Sequence, residues 1–302
     1  MRQSDFIRDG YDEEVMRLLL EDGPSARVLV MAAHPDDEAI GMGAFLKNLT
    51  NVAYLHLTDG AARNMRAAKA RGFPTRREYA LARRGELMMA LNHMRSAPVE
   101  MIEFGIPDLE VSYNLVPATL RLLEVLRRLK PSVVFVHPYE GGHPDHDSAA
   151  FCARAASIIM QAEDVEPPAI IEYTSYHADG KKMATSSFLP TAAPMLSIRL
   201  TQEERALKTE MFNCYSTQRN ALKQFETSVE RFRRAPSYDF TRPPHPGRLF
   251  YQNFYWGLPG LKWCRLAEKA SSRLGIPAHG GVAGPRLVDL YWYVKLKLAS
   301  IL

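Results

Sequence analysis

Residues 27–38 read RVLVMAAHPDDE, an apolar run that changes abruptly into a cluster of ionisable side chains. The apolar part, Arg27–Ala33, follows the turn-forming residues 22–25 (DGPS). A continuous apolar run of this length is typical of a strand buried on both faces, as in a parallel sheet. The stretch therefore predicts a buried strand with ionisable groups at its carboxyl end.

Similar strands and intervening helices follow along the chain. Further strands are predicted at 51–57, 132–136, 169–173 and 195–200, and helices at 38–48, 77–93, 116–129 and 201–215. The helix at 77–93 carries an apolar stripe of Leu81, Met88 and Leu91, and the last helix begins with a capping box of Thr201 and Glu204. Strands that alternate with helices predict an α/β fold with a mostly parallel sheet flanked by helices.

The composition is that of an ordinary folded chain. It has 302 residues, 46% of them hydrophobic, and 38 Lys and Arg against 34 Asp and Glu give a net charge of +4. Neither a disordered nor a fibrous protein fits these values. Residues 1–150 carry a net charge of −3 and residues 151–302 one of +7, so the basic excess lies in the second half.

The cysteines and the apolar runs of the chain indicate its cellular compartment. Cys152, Cys214 and Cys264 lie far apart without a CxxC spacing, which favours neither a disulfide scaffold nor a cysteine zinc site. Residues 1–10 lack the apolar segment of a secretory signal, and no run approaches the roughly 18 apolar residues of a membrane span. We therefore expect a cytoplasmic protein.

Ionisable residues follow three of the predicted strands. Residues 34–38 follow the first, Asp59 and Gly60 the second, and residues 139–147 the strand at 132–136. Ligands bind at the carboxyl ends of strands in open α/β sheets, so these segments predict one shared pocket.

His34 and Asp37 are three positions apart, so a strand-to-helix turn can aim both side chains at one point. Residues 142–146 (GHPDH) can add a second imidazole from another strand end. Two imidazoles and a carboxylate, with a fourth position for water, are typical ligands of catalytic zinc, and other divalent ions accept them too. The alternative is a surface turn whose acidic residues merely favour a helix N-terminus.

Asp36 and His143 are the candidate reacting groups. If Asp37 binds the metal, Asp36 points elsewhere and can act on a metal-activated water as general base. His143 lies one turn from His146 and can donate a proton or positive charge to an oxyanion; its alternative is a supporting or solvated loop residue. Asp145 and Asp147 are expected to orient the ligands or to cap the following helix.

AHPDDE at 33–38 and HPDH at 143–146 resemble the two motifs of the PIG-L/LmbE family of zinc-dependent N-acetylglucosamine deacetylases, each placed after an apolar strand. The resemblance spans roughly residues 25–220 and implies a Rossmann-like α/β fold. It implies the following roles: metal ligands His34, Asp37 and His146, general base Asp36, and oxyanion stabiliser His143.

Two further similarities concern the substrate. RRGEL at 83–87 is similar to the family helix whose leading arginine contacts substrate, here Arg83, although a solvated basic helix face would look the same. FGIPD at 104–108 is similar to the family loop whose aspartate binds sugar hydroxyls, here Asp108, although a turn residue is the alternative. Glu38 and Asp145 are expected to support the ligands without binding the metal.

The chain is expected to divide at residue 225. Residues 1–225 would form the deacetylase-like domain, and residues 226–302 a C-terminal extension packed on the core or at an oligomer interface. The aromatic and arginine residues of the extension can hold an anionic or glycan substrate, or can pack on the core with the arginines in water. Its last segment, 286–302, has an amphipathic pattern that can dock on its own domain, on a second subunit or on anionic lipid.

Together these features predict a zinc-dependent amidohydrolase that removes an N-acetyl or longer N-acyl group from a glucosamine-type sugar or glycoconjugate. No nucleic-acid partner is expected, and Gly41-Met42-Gly43 is only a fragment of a dinucleotide fingerprint. One alternative is a metal-dependent phosphoesterase that draws an additional ligand from Asp59, Asp145 or Asp147. The other is a non-catalytic sugar-binding module on the same fold.

Overall fold

The computed structural model describes residues 6–9, 26–94, 98–254 and 256–278, and of residues 6–9 the backbone alone. The strands are β1 Phe6–Asp9, β2 Val28–Ala32, β3 Val52–Ala62, β4 Glu100–Asp108, β5 Val133–Val136, β6 Ala169–Tyr173, β7 Tyr176–Asp179, β8 Lys182–Thr185, β9 Met195–Arg199 and β10 Val229–Arg234. The helices are α1 Asp37–Met42, α2 Arg66–Ala70, α3 Arg76–Leu91, α4 Leu115–Leu129, α5 Pro144–Ala162, α6 Gln202–Cys214, α7 Arg219–Leu222 and α8 Gly260–Leu274. Short 3-10 turns lie at Phe45–Asn48, Val111–Tyr113, Ser216–Gln218 and Phe250–Asn253.

The central sheet has the strand order β1-β9-β10-β6-β5-β2-β3-β4 among the described residues. Strands β6, β5, β2, β3 and β4 run parallel, and β10, β9 and β1 extend the sheet in antiparallel fashion. The predicted mostly parallel α/β sheet is therefore confirmed. Strand β2 pairs with both β3 and β5, so the strand order reverses between β2 and β5 and leaves a crevice there.

The alternating side chains of β2 explain the layers. Leu29 and Met31 face one apolar core with α4, α5 and α8, whereas Val28 and Val30 face a second core with α1, α3 and α6. Because β2 is covered on both sides, a continuous apolar run is needed where an exposed sheet would show alternation. The result is a sheet between two helical layers.

Local signals account for several helix starts. Pro144 occupies the first turn of α5, where its missing N–H costs no hydrogen bond. The predicted capping box of α6 is confirmed, because Thr201 accepts from the Glu204 backbone N–H and the Glu204 carboxylate accepts from that of Thr201.

Two sequence predictions about elements need correction. Strand β3 continues to Ala62, so Asp59 and Gly60 lie inside it, because β4 keeps pairing with it as far as Asp108. The predicted helix at 38–48 is also interrupted: α1 ends at Met42, and a separate 3-10 turn follows at Phe45–Asn48.

The predicted apolar stripe of α3 is wrong at two of its three positions. Leu81 is 57% exposed and Met88 36% exposed, and only Leu91 is buried. The buried face instead includes Arg83 and Glu86, whose charges are matched by hydrogen-bond partners in the protein. The helix itself lies where it was predicted, but apolar periodicity assigned the wrong buried face because the inner face is partly polar.

The division at residue 225 remains a prediction. Strand β10, which lies beyond that point, is an internal strand between β9 and β6, and α8 packs on α4 and α5 with Trp263 fully buried. The amphipathic pattern at 286–302 lies outside the described residues. Within the described part of the chain, no helix combines the length and apolar character that a membrane crossing requires.

Candidate functional site

The candidate site lies in the crevice between β2 and β5. The loop after β2 carries His34 to Asp36 and leads into α1 at Asp37, and the loop after β5 leads through His143 into α5. Both loops leave the carboxyl ends of neighbouring parallel strands, so distant parts of the sequence meet at one edge of the sheet. Of the three segments predicted to share one pocket, residues 34–38 and 139–147 contribute to the cavity here. The prediction is wrong for Asp59, which lines a different pocket together with Arg76.

The three predicted metal ligands converge. His34 Nδ1 lies 3.1 Å from Asp37 Oδ2, His146 Nε2 lies 3.2 Å from Asp37 Oδ1, and the two imidazole nitrogens lie 3.3 Å apart. Ligand atoms around a tetrahedral zinc ion are about 3.3 Å apart, given bonds of about 2.0 Å. All three residues are buried, and the spacing of their donor atoms is compatible with a small divalent cation.

Hydrogen bonds fix which nitrogen of each histidine faces the cluster. His34 Nε2 lies 3.1 Å from Asp108 Oδ1 and 3.5 Å from Asp145 Oδ2, which leaves Nδ1 for the cluster. His146 Nδ1 lies 3.2 Å from the Ser175 hydroxyl, which leaves Nε2. Partners of this kind set the tautomer and ring orientation of metal-binding histidines.

The electrostatics of the cluster favour a positive charge. Burial opposes ionisation of Asp37, but the three histidines His146, His137 and His34 lower its pKa well below the usual range. Burial likewise opposes a charge on His34, but Asp37 and Asp108 raise the pKa of its imidazole well above the ordinary value. A proton on the His34 imidazole and a metal cation therefore compete for the same ring nitrogen.

His137 is a neighbour of the cluster that the motif analysis missed. Its Nε2 lies 3.2 Å from Asp37 Oδ2, and it accepts from the Ala33 backbone N–H and lies 3.2 Å from the Tyr173 hydroxyl. Asp37, His137 and His146 lie close enough together to hold an ion, but the His137 ring stacks on that of His146 at 3.9 Å and 8°, and the lone pair of its Nε2 already accepts from Ala33. His137 therefore fits a supporting position better than a ligand position, and its place directly after β5 was the available signal.

Asp36 makes its side-chain hydrogen bond outside the group of three ligands. Its Oδ2 accepts a 2.9 Å hydrogen bond from Arg83 Nη2, and Arg83 also donates to the backbone carbonyl of Gly60. Burial raises the pKa of Asp36 to about 7, against the lowering effect of the Arg83 charge. Arg83 is 5% exposed, so the alternative of a solvated basic helix face is wrong for this residue.

His143 has a defined protonation state. It is the N-cap of α5, and its Nδ1 accepts from the Asp145 backbone N–H. Burial, then His34 and His146, lower its pKa well below the ordinary value, so the ring is neutral. A neutral ring whose Nδ1 accepts must carry its proton on Nε2, which makes Nε2 a hydrogen-bond donor in the crevice.

Of the remaining predicted residues, Asp108 and Asp145 lie beside the ligand His34, whereas the carboxylate of Glu38 contacts other parts of the fold. Asp108 lines the cavity and its Oδ1 lies 3.1 Å from His34 Nε2. Asp145 accepts from the backbone N–H groups of Leu109 and Val111. Glu38 is fully buried, but its carboxylate binds the His56 ring and accepts from the Tyr215 hydroxyl, so it ties α1 to β3 and to the end of α6.

A cavity of about 440 Å³ opens beside these groups. It is lined by ionisable residues of the cluster and by aromatic residues from later parts of the chain. The sequence suggested that the aromatic residues of the extension could hold substrate, but their spacing gives no indication of where they fold, and it gave no signal for Tyr176 or Phe225.

The fold and the site together define a class of protein: a Rossmann-like α/β protein with a His/Asp cluster suited to a divalent cation. Residues 29–157 match the family model described as PIG-L: GlcNAc-PI de-N-acetylase. This part of the chain is therefore similar to the PIG-L family, and the resemblance read from the two motifs is confirmed.

A curated relative and two solved structures are similar to parts of the chain. Diacetylchitobiose deacetylase of Thermococcus kodakarensis is 34% identical over 133 residues, which cover 41% of this chain and 46% of the relative, so the match spans less than half of the relative's length. The zinc inhibited form of teicoplanin deacetylase Orf2 has a TM-score of 0.50 at 17% identity, over 69% of this chain and 97% of that chain. A deacetylase–teicoplanin complex from the teicoplanin biosynthesis pathway gives the same values. At these identities the structural likeness shows the fold alone.

Proposed function

We propose that the chain is a zinc-dependent hydrolase that removes an N-acetyl or N-acyl group from a glucosamine-type sugar or glycoconjugate. The observation that carries the proposal is the pairing of a converging His34, Asp37 and His146 donor set with a separate carboxylate, Asp36, held by Arg83. The match to the PIG-L family model at 29–157 and the deacetylase names of the relatives support the same chemistry.

The three ligands suit zinc because they offer two imidazole nitrogens and one carboxylate and leave a position open. A zinc ion bound there supplies Lewis-acid chemistry, which polarises an amide carbonyl and makes water more acidic. The ligand set accepts other divalent ions as well, and zinc is proposed on its fit to the donor types and spacing.

Asp36 performs the proton transfers. As a carboxylate it accepts a proton from the water whose oxygen bonds to the amide carbon. The same proton then passes from Asp36 to the amide nitrogen as the carbon–nitrogen bond breaks, which yields the carboxylic acid and the free amine. A pKa near neutrality suits a group that first accepts and then donates a proton.

His143 and three further residues complete the proposal. The Nε2–H of His143 donates to the oxygen on which negative charge develops as water adds. Asp108, which lines the cavity, accepts from a sugar hydroxyl in this proposal, and Arg83 both holds Asp36 and lines the cavity. Asp145 supports His34 and the backbone after β4.

The phosphoesterase alternative is less well supported. Its second metal would need ligands from Asp59, Asp145 or Asp147, but Asp59 binds Arg76 and Asp145 accepts from two backbone N–H groups. Asp147 likewise accepts from the backbone of Glu140 and Gly141. A non-catalytic sugar-binding module would have no use for a carboxylate held beside the metal ligands.

The first test is Asp36→Asn in the zinc-loaded full chain. We expect release of acetate from N-acetylglucosamine glycosides to fall about 1000-fold with the bound zinc unchanged, because the amide cannot accept the proton. Acetate is measured by a coupled assay and zinc by inductively coupled plasma mass spectrometry. Asp59→Asn is the control, since Asp59 lies in the neighbouring strand and binds Arg76. Full turnover in Asp36→Asn would contradict the assignment of the base.

The second test concerns the ligand set. We expect His34→Ala, Asp37→Ala and His146→Ala each to lose bound zinc, whereas His143→Ala keeps zinc and loses rate. The comparison matters because His34, His143 and His146 also lie close enough together to hold an ion. Zinc loss in His143→Ala would favour that second set. His177→Ala is the matched control, because this buried histidine lies beside Glu140, outside the cluster.

A further inference from the structure

A second cavity, of about 180 Å³, lies between helix α3 and the strands β3 and β4. Helix α3 supplies half of its lining residues, the two strands supply most of the others, and Pro35 of the loop after β2 completes the lining. This α3 cavity shares no lining residue with the cavity beside the cluster, whose aromatic residues include Phe250, Phe254 and Trp256. It is therefore a separate space, to which the proposed reaction gives no role.

Part of the wall of the α3 cavity is apolar. Pro35 and the α3 residues Ala80, Leu81 and Leu87 form this part. Leu81 is 57% exposed, and a large apolar side chain is stabilised when a ligand covers it. An apolar cavity of about 150 Å³ is large enough to bind benzene. The α3 cavity thus has room for a small apolar body and a wall that suits one.

The charged lining residues of the α3 cavity are three arginines and two carboxylates. Arg76 is paired with Asp59, and Arg84 is paired with Glu103. The side chain of the exposed Arg77 makes neither a hydrogen bond nor an ion pair with any described residue. One guanidinium is therefore left for an anion, and a carboxylate matches it with two parallel hydrogen bonds.

His56 adds an unused hydrogen-bonding atom. The residue is 1% exposed and lines the α3 cavity. Its Nε2 lies 3.1 Å from Glu38 Oε2, whereas its Nδ1 has no hydrogen-bond partner among the described residues. Because a carboxylate accepts, the proton lies on Nε2, and a neutral ring then keeps a lone pair on Nδ1. A buried acceptor without a donor is costly, so a hydroxyl on a ligand would stabilise it.

These three features together select one ligand chemistry. A phosphate or sulfate ion would pair with Arg77 but would leave Leu81 uncovered. A plain hydrocarbon would cover Leu81 but would leave the charge of Arg77 and the lone pair of His56 without partners. A carboxylate that carries both an apolar body and a hydroxyl group satisfies all three residues.

We propose that the α3 cavity is a second ligand site, which binds a small hydroxylated carboxylate with an apolar body. The carboxylate pairs with Arg77, the body lies on Leu81 and Leu87, and the hydroxyl donates to His56 Nδ1. This inference goes beyond the proposed function and does not depend on it, because the site lies outside the cavity beside the cluster.

The test is calorimetric titration of the full chain with 4-hydroxybenzoate and with 6-hydroxyhexanoate. We expect at least one of them to bind about fivefold more tightly than the same acid without its hydroxyl, benzoate or hexanoate. Arg77→Met should weaken this binding about tenfold, and Ala80→Phe, which fills the cavity, should abolish it. Arg265→Met is the matched control, because Arg265 is an exposed arginine of α8 outside the cavity.

A further variant distinguishes the two cavities. Phe254→Ala alters the cavity beside the cluster and should leave the affinity for the hydroxy acid unchanged. Circular dichroism shows whether each variant is folded, and the exposed Arg77 can be replaced without disturbing the core. Three results would each overturn the proposal: no binding of either hydroxy acid, wild-type affinity in Arg77→Met, or a greater loss in Phe254→Ala than in Arg77→Met. No turnover is measured, so a failure of the deacetylase proposal leaves these outcomes unaffected.

Discussion

Asp36 and Asp37 are adjacent carboxyl groups with opposite environments. Asp37 faces three imidazoles, which lower its pKa well below the usual range despite burial, while burial raises that of Asp36 to about 7 in spite of Arg83. Neighbouring groups whose pKa values are pushed apart can divide the roles of ligand and base. The direction of each side chain out of one tight turn decides which carboxyl takes which role.

The pH dependence of turnover tests the contact between Arg83 and Asp36. Asp36 must be ionised to accept a proton, so kcat/KM falls as the pH drops through its pKa. Because the Arg83 charge lowers that pKa, Arg83→Met should move the acid limb of the pH–rate profile to higher pH by about one unit. Steady-state rates between pH 4 and 9 measure the shift.

Arg83→Lys is the matched variant for this experiment. It keeps a positive charge near Asp36 and should shift the acid limb less than Arg83→Met does. An acid limb at the same pH in the wild-type chain and in Arg83→Met would show that another group controls it.

At the residue scale, the motifs were sufficient to predict which side chains gather. His34, Asp37 and His146 meet as expected, because each follows a strand whose end faces the crevice. The motifs could not reveal that Arg83 binds Asp36, or that His137 packs on His146. Those contacts depend on how α3 and β5 sit against the loops, which no local pattern encodes.

At the scale of elements, the loop between β5 and α5 has little freedom. A Cβ on Gly142 would lie 1.9 Å from the Tyr176 carbonyl oxygen at the start of β7. This backbone-to-backbone approach holds the residue before His143 against another strand. The loop that carries His143 and leads to His146 is therefore positioned by direct contact with β7.

Gly142→Ala should weaken the site and the fold together. The methyl group cannot be accommodated unless the loop or β7 moves, so we expect a loss of about 1–3 kcal/mol in the free energy of unfolding. Zinc affinity should fall with it, because His146 follows four residues later. Urea denaturation and zinc competition with a chelator measure the two effects.

Gly85→Ala is the opposite control. Gly85 is an exposed residue within α3, and a Cβ there would meet nothing within 4 Å. Alanine is the better helix former, so this variant should gain about 0.5–1 kcal/mol with zinc affinity unchanged. Equal stability in the two variants would contradict the steric argument.

Element types were easier to predict than their limits. Buried parallel strands such as β2 and β5 are marked by apolar runs, and the capping box of α6 is a local hydrogen-bond pattern. The end of β3 was misplaced because continued pairing with β4, and not composition, extends it past Asp59. The predicted apolar stripe of α3 was wrong because two residues on the buried face of the helix, Arg83 and Glu86, are charged and have hydrogen-bond partners.

At the scale of the whole molecule, a buried ion pair joins three regions. Lys208 Nζ of α6 lies 2.9 Å from Glu230 Oε1 of β10, and the Glu230 carboxylate also accepts from the backbone N–H groups of Ala44 and Phe45 after α1. Both charged side chains are almost fully buried. The carboxylate thus links the end of α1, helix α6 and an internal strand of the sheet.

Lys208→Met should be strongly destabilising, because it leaves the Glu230 charge buried without its cation. The expected loss is about 3–5 kcal/mol in the free energy of unfolding. The double variant Lys208→Met/Glu230→Gln removes both charges and should recover most of this loss. Urea denaturation monitored by circular dichroism measures all three chains.

Arg128→Met supplies the comparison with a surface pair. Arg128 and Glu100 form an ion pair whose side chains are 53% and 34% exposed, so its loss should cost no more than about 1 kcal/mol. A similar cost for Lys208→Met would show that burial of the first pair has no energetic consequence.

The global arrangement was the least predictable part of the molecule. Alternating strands and helices were enough for the α/β class, but not for the antiparallel addition of β10, β9 and β1 to one side of the sheet. Phe250, Phe254 and Trp256 reach the cavity through contacts between residues far apart in sequence. Such contacts depend on the packing of the complete chain and leave no periodic trace.

The nearest nitrogens of His34 and His146 belong to residues 112 positions apart in sequence. A cation held by both side chains would close a loop of that length, much as a covalent cross-link does. If the ion stays bound to both residues in the unfolded chain, the closed loop reduces the conformational entropy of that chain. If the ion binds only the folded chain, binding favours the folded state through mass action. The same atoms that serve the chemistry would thus make the melting temperature of the protein depend on the concentration of free metal.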